Sequence, residues 1–168
     1  MTIPEIVQTG LKMEGWSTHA KLQYMVELIL QRRPITLVEV GIYGGRSFFP
    51  MYWASQQYAF STLHGIDPYC NADSAVGQDP EGKEWWSKLD HNWIFGIFNE
   101  EFQKLNPKPI FHKNKSREVD IKKVDYLHID GNHSEEESSA DVDYWLPRMS
   151  KGGVSIPSAK CLNNSFIS

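Results

Sequence analysis

The sequence predicts an α/β protein, a parallel sheet of about five strands with helices on both faces. Three observations carry that prediction. Strand-like and helix-like hydrophobic patterns alternate along most of the chain. The strand-like runs are continuously apolar and β-branched, as in strands covered on both faces. Acidic or glycine-rich turns follow three of those runs, and ligands bind at such strand ends in open α/β sheets.

Taken in order, "GWSTHAKLQYMVELILQRRP" reads as a helix over 17–34. Ser17 or Thr18 can cap it, Leu22, Met25, Val26, Ile29 and Leu30 recur at helical spacing, and Pro34 stops it. "ITLVEVG" is the first strand, and "SFFPMYWASQQYA" is a helix that tolerates Pro50 near its start. "TLHGIDPY" is the second strand, and 70–82 is expected to be a long surface loop. From Lys83 to Leu105 one helix is expected, with Trp86, Leu89, Trp93, Ile97 and Leu105 near one stripe. That stripe reads as core packing before it reads as a ligand wall. "PIFHK" and "VDYLHID" are the third and fourth strands. "EEESSADVDYWLPRM" is a helix with acids where its dipole favours them. Gly152 and Gly153 suit that helix's C-terminus, and "GVSI" is the fifth strand.

At 168 residues the chain has the size of one domain, and its 23% charged and 40% hydrophobic content is that of a globular protein. A net charge of −4, with lysines and arginines scattered, argues against a nucleic-acid partner. Cys70 and Cys161 form neither a disulfide framework nor a CxxC pair. "MTIPEIVQTG" lacks the basic and apolar regions of a signal peptide, and no run is long enough for a membrane span. The expectation is a cytoplasmic protein with no membrane partner.

The strand ends carry the chemistry. "VEVGIYGGRS" sets Glu39 two residues before Gly41, in a turn that also contains Gly44 and Gly45. Glycines there admit close backbone approach, and the following helix offers unpaired N–H groups. A diphosphate would be repelled by Glu39, whereas a ligand with an ammonium group would not. Asp67, in "GIDPY", is placed to accept hydrogen bonds from a ribose diol. Together they describe a nucleoside joined to a charged amino acid, namely S-adenosylmethionine.

The series "VEVGIYGGRS", "GIDPY" and "VDYLHIDGNHSEEESSADVDYWLPRMSKGG" resembles the class I S-adenosylmethionine-dependent methyltransferases. It is most similar to the small-molecule O-methyltransferase branch with a DGxH turn, over about 17–154. The resemblance implies a Rossmann-like, doubly wound parallel sheet of order 3-2-1-4-5, in one domain spanning 1–168. Its core would be 36–156, with an atypical tail at 157–168. It places Glu39, Gly41, Ile42, Tyr43, Gly45 and Ser47 around the methionine and ribose of the cofactor. Asp67 would hold the ribose, Pro68 and Tyr69 would flank the adenine, and Ser116 would meet the adenine edge. Asp130 would line the floor near the transferred methyl, and His133 would face a small-molecule acceptor as general base. Blander readings stand beside these: an internal ion pair for Glu39, turn chemistry for Asp67, helix capping for His133, and a solvated helix face for Asp141 and Asp143. His64, His91, His112 and His128 show no metal spacing.

Some members of the branch use Mg²⁺ held by acids at the ends of the fourth and fifth strands. Here Asp130 supplies one acid, but Pro157 and Ser158 stand at the other positions and no carboxylate follows Asp143. The metal pair is incomplete. The strand pair that closes the family sheet is missing too, so the fifth strand should be an edge, covered in a homodimer or followed by a disordered tail. Two other functions remain: a cofactor-binding domain without catalysis, and a nicotinamide-dependent oxidoreductase. The latter's G-x-G-x-x-G fingerprint is absent.

Overall fold

The computed structural model describes residues 1–157. Two helices precede the sheet, α1 (Ile3–Gly10) and α2 (His19–Arg32). The core then runs β1 (Thr36–Val40), α3 (Phe48–Ser55), β2 (Thr62–Ile66), α4 (Asn71–Ser74), α5 (Pro80–Lys88), α6 (His91–Gln103), β3 (Ile110–His112), β4 (Val124–Ile129), α7 (Glu135–Trp145) and β5 (Met149–Pro157). The sheet is parallel throughout, in the order β3-β2-β1-β4-β5. β5 is an edge strand among the described residues. The tail from 158 onward, where disorder was expected, lies outside them.

Strand alternation sorts the core into two layers. Leu37, Leu63 and Tyr126 face α1, α2, α3 and α6, in a cluster with Met25, Ile29, Phe48, Phe49 and Phe98. Val38, Val40, Ile66, Leu127 and Ile129 face the other way and pack on Trp145 of α7. Both faces are therefore apolar, which is why β1 reads as continuous rather than alternating.

α1 was not anticipated; at its start Thr2 and Glu5 make a reciprocal capping box, with a proline in the first turn. Three expectations are corrected. Segment 70–82 is not all loop: α4 and the start of α5 lie in it. The single helix expected over 83–105 is two, broken where Leu89 is extended and Asp90 caps α6 through the Trp93 N–H. With the break, α6 buries His91, Ile94, Phe98 and Phe102, while Trp93 is left exposed. Finally, Gly152 and Gly153 end no helix; they form an irregularity inside β5, where the register with β4 shifts between Val124 and Tyr126.

Glycine matters most at the junction of β1 and β4. Gly41 has φ +84°, and a methyl group there would lie 2.4 Å from the Asp130 carbonyl oxygen. Gly41→Ala should therefore destabilise the protein by about 2–4 kcal/mol in urea denaturation, from backbone strain plus overpacking. Gly152→Ala, with similar φ but open space around it, should cost only about 1–2 kcal/mol. Equal effects at the two sites would show that the β1–β4 contact is not tight.

On β2 and β3, His64 Nδ1 lies 3.1 Å from His112 Nε2. Burial, and then the neighbouring His112, push the His64 imidazole down to about 4. The folded state thus keeps His64 neutral, while the unfolded chain protonates it near about pH 6.5. Its contribution is complete above that pH and is lost as pH falls through about 4. Between pH 7 and 4 the urea midpoint of the wild type should fall more steeply than that of His64→Gln. Parallel curves would remove this assignment.

Candidate functional site

The ends of β1, β2 and β4 open into one cavity of about 550 Å³. Its walls come from the turn after β1, the turn after β2, the α4 segment, residues 115–118 and the 130–133 turn. Residues Gly15, Trp16 and Ser17 close it from the N-terminal side.

The glycine turn is held mostly by the protein itself. Asp67 Oδ2 accepts the N–H groups of Ile42 at 2.9 Å and Tyr43 at 3.0 Å, and Oδ1 accepts that of Tyr69 at 2.8 Å. Burial pushes the Asp67 carboxyl up, and those N–H groups oppose the shift. Gly44 lets the chain at Glu14 come close, since a methyl there would meet Glu14 Cβ at 2.4 Å, and Glu14 bridges to Gly45. Gly45 has φ +90° and packs on Phe49. The space these two glycines free is filled by protein, contrary to the expectation that bare backbone serves a ligand. Ser47 lines the cavity at the start of α3 without making a side-chain cap.

Of the residues expected from sequence, Gly41, Ile42, Tyr43, Ser47, Asp67, Pro68, Tyr69, Ser116, Asp130 and His133 line this one cavity. Tyr69 reaches it from the core, its ring packed on Phe95 and Phe98 and its hydroxyl donated to the Tyr43 carbonyl at 2.6 Å. Ser116 Oγ accepts the Trp145 indole N–H at 2.7 Å.

Glu39 is placed differently. It is fully buried and does not line the cavity. β1–β4 register sets it opposite His128, and His128 Nδ1 lies 2.8 Å from Glu39 Oε1. The internal partner is therefore a histidine, and the carboxylate sits behind the cavity floor. His128 Nε2 in turn lies 3.7 Å from Asp130 Oδ2.

Asp130 gathers the remaining charges. Lys21 Nζ, from α2, is 2.8 Å from Oδ2, and His133 Nε2 is 3.4 Å from Oδ1. Burial pushes the Asp130 carboxyl up, but His133, His128 and Lys21 outweigh it and hold it well below the usual carboxylate range. Asp130 is thus an anion at neutral pH.

Several lining residues carried no sequence signal. Trp16 packs at a tilt against Tyr43, 4.4 Å between ring centroids, and stands 6.4 Å from Trp86, giving the mouth an aromatic wall. Asp141, expected on a solvated face, is buried and lines the cavity, 3.5 Å from Arg117, which also pairs with Glu137. The arginine and the two acids lie far apart in sequence until the 116–118 turn meets α7. Asn132 ties the 73–78 segment down: its Nδ2 donates to the carbonyls of Asp73 and Val76, and its Oδ1 accepts from Gln78. Only a turn inside "DGNH" marks it in the sequence.

Divalent metal does not fit these residues. Pro157 pairs with Ile129 at the end of β5, where a second acid would be needed, and Lys21 already occupies the Asp130 carboxylate. Among the described residues no group of three or more His, Cys, Asp and Glu side chains could hold an ion. Among them, too, no helix is long and apolar enough to cross a membrane.

A doubly wound parallel sheet with a cleft at its β1–β2–β4 ends defines a Rossmann-like fold. Residues 38–156 match the family model described as a methyltransferase domain, and the chain belongs to that family. No curated protein matches it. Among solved structures it is similar to an SAH-bound methyltransferase from Podospora anserina, with 13% identity and a TM-score of 0.63 over 93% of this chain and 61% of that one. It is also similar to an O-methyltransferase from Bacillus cereus in complex with SAH, with 12% identity and a TM-score of 0.55 over 92% of this chain and 64% of that one. The chain thus spans under two thirds of the length of either neighbour, and at these identities the likeness is one of fold.

Proposed function

We propose that the cavity binds S-adenosylmethionine and that the protein transfers its methyl group to a hydroxyl of a small molecule. The observation that carries this reading is the meeting of Asp67, Ser116, Asp130 and His133 around one cavity in a chain of the methyltransferase family. The SAH-bound neighbours from Podospora anserina and Bacillus cereus support the same cofactor.

In this reading Asp67 receives the ribose hydroxyls on lone pairs left over from its three backbone contacts. Ser116 and Pro68 would border the adenine, and Asp130 would form the floor near the transferred methyl. Methyl transfer breaks the S–CH₃ bond as the O–CH₃ bond forms, leaving neutral S-adenosylhomocysteine. The acceptor proton passes to the imidazole of His133, which lines the cavity beside Asp130. Bound S-adenosylmethionine supplies the reactive methyl, and the protein supplies alignment and the base. Glu39 takes no direct part, because the structure buries it with His128.

Calorimetry with S-adenosylhomocysteine tests the cofactor half. Asp67→Ala should weaken binding by about 1.5–3 kcal/mol. Circular dichroism of the same sample checks that the turn Asp67 holds has survived. Wild-type protein that binds neither S-adenosylmethionine nor its product would overturn the proposal.

Methyl release from labelled cofactor, with a panel of hydroxyl acceptors, tests the second half. His133→Ala should reduce turnover about 10²–10⁴-fold while leaving cofactor affinity within about threefold. Binding of cofactor without transfer to any acceptor would leave a cofactor-binding domain as the better reading.

A further inference from the structure

We propose that Lys21 is the resident cation of this site, holding the Asp130 carboxylate where other branch members would place a divalent ion and neutralising it beneath the reacting methyl. The inference rests on the reading of the cavity as an S-adenosylmethionine site. It starts from a lysine in an awkward place. Lys21 is the third residue of α2, behind the Thr18 cap, where the helix dipole disfavours positive charge. The contact that compensates it comes from the far end of the domain, Asp130 at 2.8 Å. Neither side chain is open to solvent, with 29% and 22% of their surfaces exposed, so water screens the pair only partly.

The surroundings of Asp130 are those of a carboxylate with a cation already in place. Lys21 approaches Oδ2, His133 approaches Oδ1, and the unpartnered Nε2 of buried His128 points at Oδ2 from below. At the end of β5, where a second acid would complete a metal pair, the chain has Pro157. The site therefore lacks the second carboxylate and already holds a positive charge on the first.

That charge has a consequence for the reaction. A sulfonium loses its positive charge as its methyl departs, so a bare carboxylate beside it would stabilise the ground state more than the transition state. Interactions of that sign tighten cofactor binding and slow the chemical step. By pairing with Asp130, Lys21 removes the imbalance while keeping the carboxylate fixed at the floor. Lys21 is thus a positioning residue that acts through Asp130.

The test compares S-adenosylmethionine, which carries the sulfonium charge, with neutral S-adenosylhomocysteine, by calorimetry on the full chain. Lys21→Met should shift the ratio of the two affinities toward S-adenosylmethionine by about three- to thirtyfold, a modest Coulomb effect at an effective dielectric near 20. Affinity for S-adenosylhomocysteine should change less than about threefold, since a neutral ligand senses little of the lost charge. Lys21→Arg should restore the wild-type ratio. Wild-type protein titrated with Mn²⁺ and followed by electron paramagnetic resonance should bind no stoichiometric ion, a measurement that needs no variant to fold. An unmoved ratio in Lys21→Met, or wild-type Mn²⁺ binding that Asp130→Asn abolishes, overturns the inference. If neither ligand binds the wild type, the cofactor reading falls and this inference falls with it; if both bind and the ratio stays fixed, this inference falls alone.

Discussion

The carboxyl ends of the sheet depend on one contact, the backbone of Gly41 lying directly against that of Asp130 and Gly131. β1 and β4 are neighbours in the middle of the sheet, and their turns leave in opposite directions around it. Because Gly41 carries no side chain, the two turns close to van der Waals distance instead of splaying apart. The Asp130 N–H then completes the ladder by donating to the Val40 carbonyl at 2.8 Å. A side chain at position 41 would separate the turns, and with them the Asp67-held loop and the 130–133 turn that form opposite walls of the cavity.

Behind that contact lies a pair of buried ionisable groups. Glu39 and His128 face each other across β1 and β4 with no solvent exposure, on the same sheet face as α2. Burying either alone would be costly, so the pairing is what makes both tolerable. The pair also leaves Glu39 Oε2 and His128 Nε2 without a hydrogen-bond partner, an uncommon state for buried polar atoms. Apolar residues at these two positions would pack the layer without that cost. What they would not supply is a polar ring edge beneath Asp130, 3.7 Å from its carboxylate.

How much of this was legible in the sequence follows from the range of each interaction. The five strands and α2, α3 and α7 are written in local hydrophobic patterns, and the strand order follows from the family resemblance carried by the strand-end motifs. α1 was legible too, in the Thr2–Glu5 capping box and in the helical spacing of Ile3, Ile6 and Val7, but at eight residues it is short. The break at Leu89–Asp90 was missed because the apolar spacing runs on through it and only the Asp90 cap marks the restart. In the site, residues within strand-end motifs were readable, since topology sends those ends to one place. Glu39 was misjudged because its polarity suggested a ligand, whereas register gave it His128. Trp16, Lys21, Arg117 and Asp141 were beyond reach, as each contributes through a contact between segments far apart in the chain.

The charges of the cavity wall show what such long-range contacts achieve. Lys115 pairs with Asp73 at 2.6 Å, Arg117 with Glu137 at 2.9 Å, and Lys21 with Asp130 at 2.8 Å. Each pair joins two segments that no strand or helix connects directly: the 115–118 turn to α4, the same turn to α7, and α2 to the β4 turn. The more exposed of these pairs, Lys115–Asp73 and Arg117–Glu137, add little stability. Their geometric effect is larger, because each fixes the separation of two walls. The cation of each also partly offsets the charge of the acid it meets. Arg46 does the same by another route, its Nε–H donated to the Met13 carbonyl at 2.8 Å, which ties the N-terminal segment to the glycine turn. Between these pairs the cavity is lined by, among others, the rings of Trp16 and Trp86, the carboxylate of Asp67, the hydroxyl of Ser116 and the imidazole of His133. Such a lining offers an entering ligand stacking surfaces and hydrogen-bond partners as well as charge.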